Sequence, residues 1–193
     1  MRIRHQVRRG ILSSCVLVAA STLALSQAAA PAKPPAGTPV APAQVFGPIL
    51  SHFEDWFVTA AEAMPEDKYD FAPPTSLGEF KGVRTFADEV KHVAEVNAYF
   101  FRDPAHPAAR SSADIDKLKT KAEILKALKD SFAAGHAYVD AITPENAFVA
   151  LPDGSTRAGN ASRGIAHFMD HYGQMVEYLR MNGIIPPASR ATM

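Results

Sequence analysis

Residues 160–187 read NASRGIAHFMDHYGQMVEYLRMNGIIPP, and this stretch decides the fold class. Its spacing is helical. Asn160 has a short amide suited to the free N–H groups of a helix start, Gly183 stands where a left-handed C-terminal cap belongs, and Pro186-Pro187 forbid continuation. A helix from about Asn160 to Asn182 is predicted. Inside it His167 and His171 are four residues apart, which places both imidazoles on one face with Cβ atoms about 6 Å apart, within reach of a single ion. Pairs at this spacing also arise by chance, so the pair alone does not establish a site.

Three further stretches upstream carry the same periodicity, and none shows the two-residue alternation of a strand. The first should run from about Ala43 to Met64, its apolar stripe formed by Phe46, Ile49, Leu50, Phe53, Phe57, Ala60 and Met64 and its end set by Pro65. The second covers about Thr85 to Phe101, with Phe86, Val90, Val93, Asn97 and Phe100 on one face and Asp103-Pro104 as its stop. The third opens at Thr120, which forms a capping-box pattern with Glu123, and carries Ile124, Leu125, Leu128, Phe132 and Val139 before Thr143-Pro144. Four such helices in one domain predict an all-α four-helix bundle. The connections over 65–84 and 102–119 are long for adjacent antiparallel helices, so at least one is expected to cross an end of the bundle.

The 193 residues, 47% apolar and 21% charged, suit one globular domain with a targeting segment. A formal charge of zero supplies no field to gather nucleic acid or an anionic membrane. The N-terminus reads as a signal peptide over 1–28: Arg2, Arg4, Arg8 and Arg9, then an apolar run from Ile11 to Leu25, then Ser26-Gln27-Ala28. That run is shorter than the roughly 20 residues that span a bilayer. The arginine pair also fits a twin-arginine signal. Residues 29–43, with five prolines among alanines, read as a linker, leaving 44–188 as the domain. Cys15, the sole cysteine, falls within the signal, so the mature chain has no thiol, and its chemistry must come from histidines, carboxylates, hydroxyls or a metal. Losing four arginines and no acids leaves 16 basic against 20 acidic side chains. The expected location is periplasmic or extracellular, with no membrane association after signal removal. A small-molecule substrate is the expected partner, and a homodimer is left open.

His92 lies inside the second helix. In a bundle, side chains of facing helices converge, so His92 can join the pair on the fourth helix; taken alone, a helical histidine reads rather as a boundary residue. Three neutral imidazoles suit a divalent zinc, nickel, iron, manganese or copper ion and leave a position open to water.

Two segments together resemble the DinB-like superfamily: TFADEVKHVA over 85–94, containing His92, and HFMDHYGQMVEYLRMNGIIPP over 167–187. DKYDFAP over 67–73 and TKAEIL over 120–125 are similar as well, and the likeness spans about 46–187. The resemblance implies a four-helix bundle with a long crossover between helices 2 and 3. It implies a divalent metal (zinc, nickel, iron or manganese) on His92, His167 and His171. Some relatives are thiol transferases, others are maleylpyruvate isomerase-like enzymes and many have no assigned activity; for this chain the expectation is a metal-dependent enzyme of hydrolase or transferase type. Export sets this chain apart, because a thiol cofactor is scarce in an oxidising compartment. The alternative to an enzyme is a non-catalytic bundle that binds metal or a small ligand.

Among other polar residues, His52 reads as a boundary histidine or a proton shuttle. Asp170 and Glu177 read as solvated acids or as acceptors that orient the ligand imidazoles. Gln174 and Tyr178 are candidates to face the cavity. Trp56 reads as core, and His106 and His136 as loop or surface residues.

Overall fold

The last proline of the linker is the first residue of the first helix, α1 (Pro42–Ala63), in a computed structural model that describes residues 33–102 and 111–190. The expected signal peptide, the start of the expected linker, the expected stop at Asp103-Pro104 and His106 lie outside the described residues. A proline costs nothing at this position, because its missing N–H belongs to the first turn, where no intrahelical acceptor exists. The Gln44 side chain accepts from the Ala41 N–H at 3.1 Å and completes the start. Met64 is extended ahead of Pro65, as the steric demand of a following proline requires. The buried line of α1 runs through Leu50, Phe57, Ala60, Ala61 and Met64. Ile49, expected on that line, is turned outward.

The segment after α1 contains two single 3-10 turns, Glu66–Lys68 and Thr75–Leu77. It is tied to both neighbouring helices. The Tyr69 hydroxyl donates to the Ala61 carbonyl at 2.7 Å, and the Tyr69 and Phe71 carbonyls accept from the Ala87 and Phe86 N–H groups at 2.8 Å each. Helix α2 (Phe86–Phe100) therefore begins near the end of α1 and runs back in the opposite direction, diagonally across the bundle from it. Thr85 caps α2 by accepting from the Asp88 N–H.

A five-residue helix, α3 (Ser112–Asp116), precedes α4 (Lys121–Asp140). The capping box predicted at Thr120 and Glu123 is present, each side chain accepting from the other's backbone N–H. Lys121 Nζ donates to the Glu62 and Met64 carbonyls at 2.7 Å each, which are otherwise orphan acceptors at the end of α1. That contact places the start of α4 at the end of the bundle where α2 also starts. Helices α2 and α4 run parallel, and α3, which lies between them in sequence, packs on α2, as a crossover between the second and third long helices requires.

The fourth long helix, α5 (Arg157–Met181), starts at the opposite end, where the Ala158 N–H meets the Ala147 carbonyl at 3.0 Å. It finishes beside the first connection, where Lys68 Nζ donates to Asn182 Oδ1 at 3.1 Å. The order is thus up, down, down, up. Helices α2 and α1 each pack on both α4 and α5. Helix α5 opens three residues before the expected start. Thr156, not Asn160, is its cap, accepting from the Gly159 N–H at 3.0 Å, while the Asn160 amide is buried and donates to Ser155 Oγ at 3.1 Å. The predicted end holds. Gly183, at φ 73°, donates to the Arg180 carbonyl while Ile184 donates to that of Leu179, the paired bonds of a Schellman cap. A short α6 (Pro187–Arg190) packs on α1.

Phe57, Phe132 and Phe168, from α1, α4 and α5, form an aromatic centre with ring centroids 5.2 to 6.2 Å apart. Phe101 fills a slot between two helices that glycines make possible. A Cβ on Gly164 would sit 2.7 Å from its ring, and one on Gly135 would sit 3.1 Å from the ring's other side. Among the described residues there is no strand, and no helix is long and apolar enough to cross a membrane.

Candidate metal centre

Because α2 and α5 are direct neighbours, residues far apart in sequence meet on their facing sides. Thr85 sets where α2 begins, which fixes the face that carries Glu89 and, one turn later, His92. On α5, Phe168 and Met175 are fully buried and rotate the helix so that His167 and His171 look toward α2. The three imidazoles come together. Ring centroids are 5.2 Å apart for His92 and His167, 4.8 Å for His92 and His171, and 4.6 Å for His167 and His171.

One nitrogen from each ring lies within 4.8 Å of the others, so the cluster could hold a metal ion. The Nε2 atoms of His167 and His171 are 3.2 Å apart. Two nitrogens bonded at about 2.1 Å to one ion, at angles between octahedral and tetrahedral, are separated by about 3.0 to 3.4 Å, and this pair matches.

Behind the cluster, Glu89 is 1% exposed and its Oε2 lies 2.5 Å from His171 Nδ1. A carboxylate only accepts, so Nδ1 carries the proton and the Nε2 lone pair faces the other two rings. This is the arrangement by which a carboxylate fixes the tautomer and orientation of a ligand imidazole. Glu89 was not anticipated from sequence. The signal was present, since Glu89 lies three residues after Phe86 and four before Val93, on the buried stripe, and three before His92.

Burial keeps two of the three donors neutral. Burial first, and then the charge of Arg84, hold His92 below the ordinary histidine range. Burial pushes His167 down to about 4. At neutral pH both offer free lone pairs. His167 Nδ1 is buried without a hydrogen-bond partner among the described residues.

A cleft of about 290 Å³ opens beside His92, lined by Arg84, Asp88, Lys91, Glu95 and Asp116. Lys91 pairs with Asp88 at 3.1 Å. The Glu95 carboxyl is pushed up by burial and by the adjacent Asp116 carboxylate, and one of its oxygens is buried and unpartnered.

The remaining candidates stand elsewhere. His52 is exposed and stacks on Phe53 and Trp56, outside the cluster. Trp56, expected in the core, is half-buried against Tyr172, because its position on α1 faces the outer edge of α5. Asp170 and Glu177 are exposed and make no contact with a ligand nitrogen, leaving the orienting role to Glu89. Gln174 Nε2 approaches His171 Nδ1 at 3.5 Å. Tyr178 is buried and donates to the Arg84 carbonyl instead of facing the cleft. His136 is neither loop nor free surface: it lies in α4, and its Nε2 meets Glu54 Oε2 of α1 at 2.5 Å.

No curated protein is significantly similar to this chain in sequence. The profile of the DinB superfamily matches residues 49–175, a span that contains α2, α4, most of α5 and all three clustered histidines, so the chain belongs to the DinB superfamily.

Proposed function

We propose that this protein is an exported metal-dependent enzyme of hydrolase or transferase type, with one divalent transition metal held by His92, His167 and His171. The observation that carries the reading is the convergence of three imidazole nitrogens from two helices, 3.2 Å apart for the His167 and His171 pair, with a buried carboxylate behind one of them. When bound there, such an ion lowers the pKa of water or a substrate thiol toward about 7 and polarises a carbonyl or phosphoryl oxygen. An all-imidazole donor set suits zinc, nickel, iron or manganese.

The chain's own groups do the rest. Glu89 holds the His171 proton on Nδ1, and burial keeps His92 and His167 unprotonated. The cleft is lined by His92 and not by His167 or His171, so it gives a small substrate room at the His92 edge of the cluster, which favours an enzyme over a closed binding site. Export follows from the basic, apolar and small-residue sequence of 1–28; N-terminal sequencing of protein from the periplasmic fraction should read from Ala29, and an intact Met1 there would argue against cleavage.

Elemental analysis of purified protein tests the metal site. His167→Ala should lose most of the bound metal while circular dichroism keeps its helical signal. Unchanged occupancy in that variant would reject the site.

A further inference from the structure

Arg84 stands where the connection ahead of α2 touches α5. The hydroxyl of buried Tyr178 donates to its carbonyl at 3.1 Å, which pins this residue's backbone to the helix carrying His167 and His171. The side chain shares the cleft with His92. Its guanidinium has no hydrogen bond or ion pair among the described residues.

On the cleft wall the second cation already has a carboxylate partner, while the two remaining acids face each other and not a cation. Lys91 is paired with Asp88, which also accepts from Thr85 Oγ1 at 2.8 Å. Glu95 of α2 and Asp116 of α3 lie against each other at the far side. Of the two cations on the wall Arg84 is the one without a carboxylate partner, and its planar fork of N–H donors fits a carboxylate with two parallel hydrogen bonds.

We propose that the cleft beside His92 binds a small monocarboxylate substrate, its carboxylate gripped by Arg84 and its reacting end turned toward the three imidazoles. The inference rests on the metal-enzyme reading and names the substrate class of that site. The Glu95 and Asp116 carboxyls set the charge limit, because a second negative charge on the ligand would face like-charged groups across the cleft. A volume near 290 Å³ is about ten water volumes at ~30 Å³ each, which is enough for a molecule of amino-acid size.

The test titrates cobalt(II)-loaded and metal-free protein in parallel with propionate and with inorganic phosphate, following heat by calorimetry and the visible cobalt bands in the loaded form. The unsubstituted protein should bind propionate more tightly than phosphate. Arg84→Gln should weaken propionate about tenfold or more, and Arg84→Lys should recover part of that loss, since the charge remains and the fork is gone. Cobalt uptake should be the same in all three proteins. Propionate binding that is absent, that is indifferent to Arg84→Gln, or that is weaker than phosphate binding overturns the inference. Failure to take up cobalt overturns the metal reading separately, and the metal-free titrations then decide the role of Arg84.

Discussion

Glu89 and His171 show how much one buried pair controls. A carboxylate that is almost fully enclosed is costly unless a partner answers its charge, and the His171 N–H is that partner. Glu89→Gln keeps the size and removes the charge, so the imidazole loses its electrostatic support while the helix is preserved. Metal affinity should fall by about 10- to 100-fold, measured by competition with a chromogenic chelator. Equal affinity would reduce Glu89 to a filler. The pH dependence follows from the other two rings. His92 and His167 titrate lower when folded than in the unfolded chain, so between about pH 6.5 and pH 4 the unfolded state binds more protons and stability rises with pH. The metal-free protein should melt at progressively lower temperature as pH is lowered through that window. The dependence should be shallower in His167→Gln, and equal slopes would contradict the assignment of a neutral, buried ring. At this scale the His167 and His171 pair was legible because helical spacing alone puts both on one face. Glu89 was not, because an acid in the first turns of a helix already has a sufficient explanation in the helix dipole.

The helices themselves were legible wherever an apolar period coincided with a chemical stop. Pro65, the Thr120 and Glu123 box, and Gly183 ahead of Pro186 each end or begin a helix where their backbone chemistry requires. The start of α5 was misplaced because Asn160 and Thr156 are both good caps; Thr156 holds the role because its hydroxyl reaches the Gly159 N–H, and the buried Asn160 is bound to Ser155. Helix α3 was missed because five residues are too few to show a period. Packing between elements leaves a fainter trace. The ring of Phe101 is held between Gly135 of α4 and Gly164 of α5, so it has no room to retreat from a new methyl group. Gly164→Ala gains helix propensity yet should destabilise the protein by about 1 to 3 kcal/mol through overpacking, read from urea denaturation. A neutral or stabilising effect would mean that the slot is looser than its distances indicate.

For the molecule as a whole, the up, down, down, up order is what makes the site. It sets α2 and α5 side by side and antiparallel, which brings His92 to the His167 and His171 pair. Periodicity reveals helices but not their neighbours, so the approach of His92 was legible only through the likeness of its surrounding residues to a family. The same arrangement means that one ion would join the second and fourth long helices, linking two parts of the chain that the crossover and α4 separate. X-ray absorption at the metal edge of zinc-loaded protein tests this most directly. The account predicts three imidazole nitrogens at about 2.1 Å with water oxygen completing the shell, and two imidazoles in His92→Ala. A shell that holds no more than two imidazoles in the unsubstituted protein, or that is unchanged by His92→Ala, would contradict it.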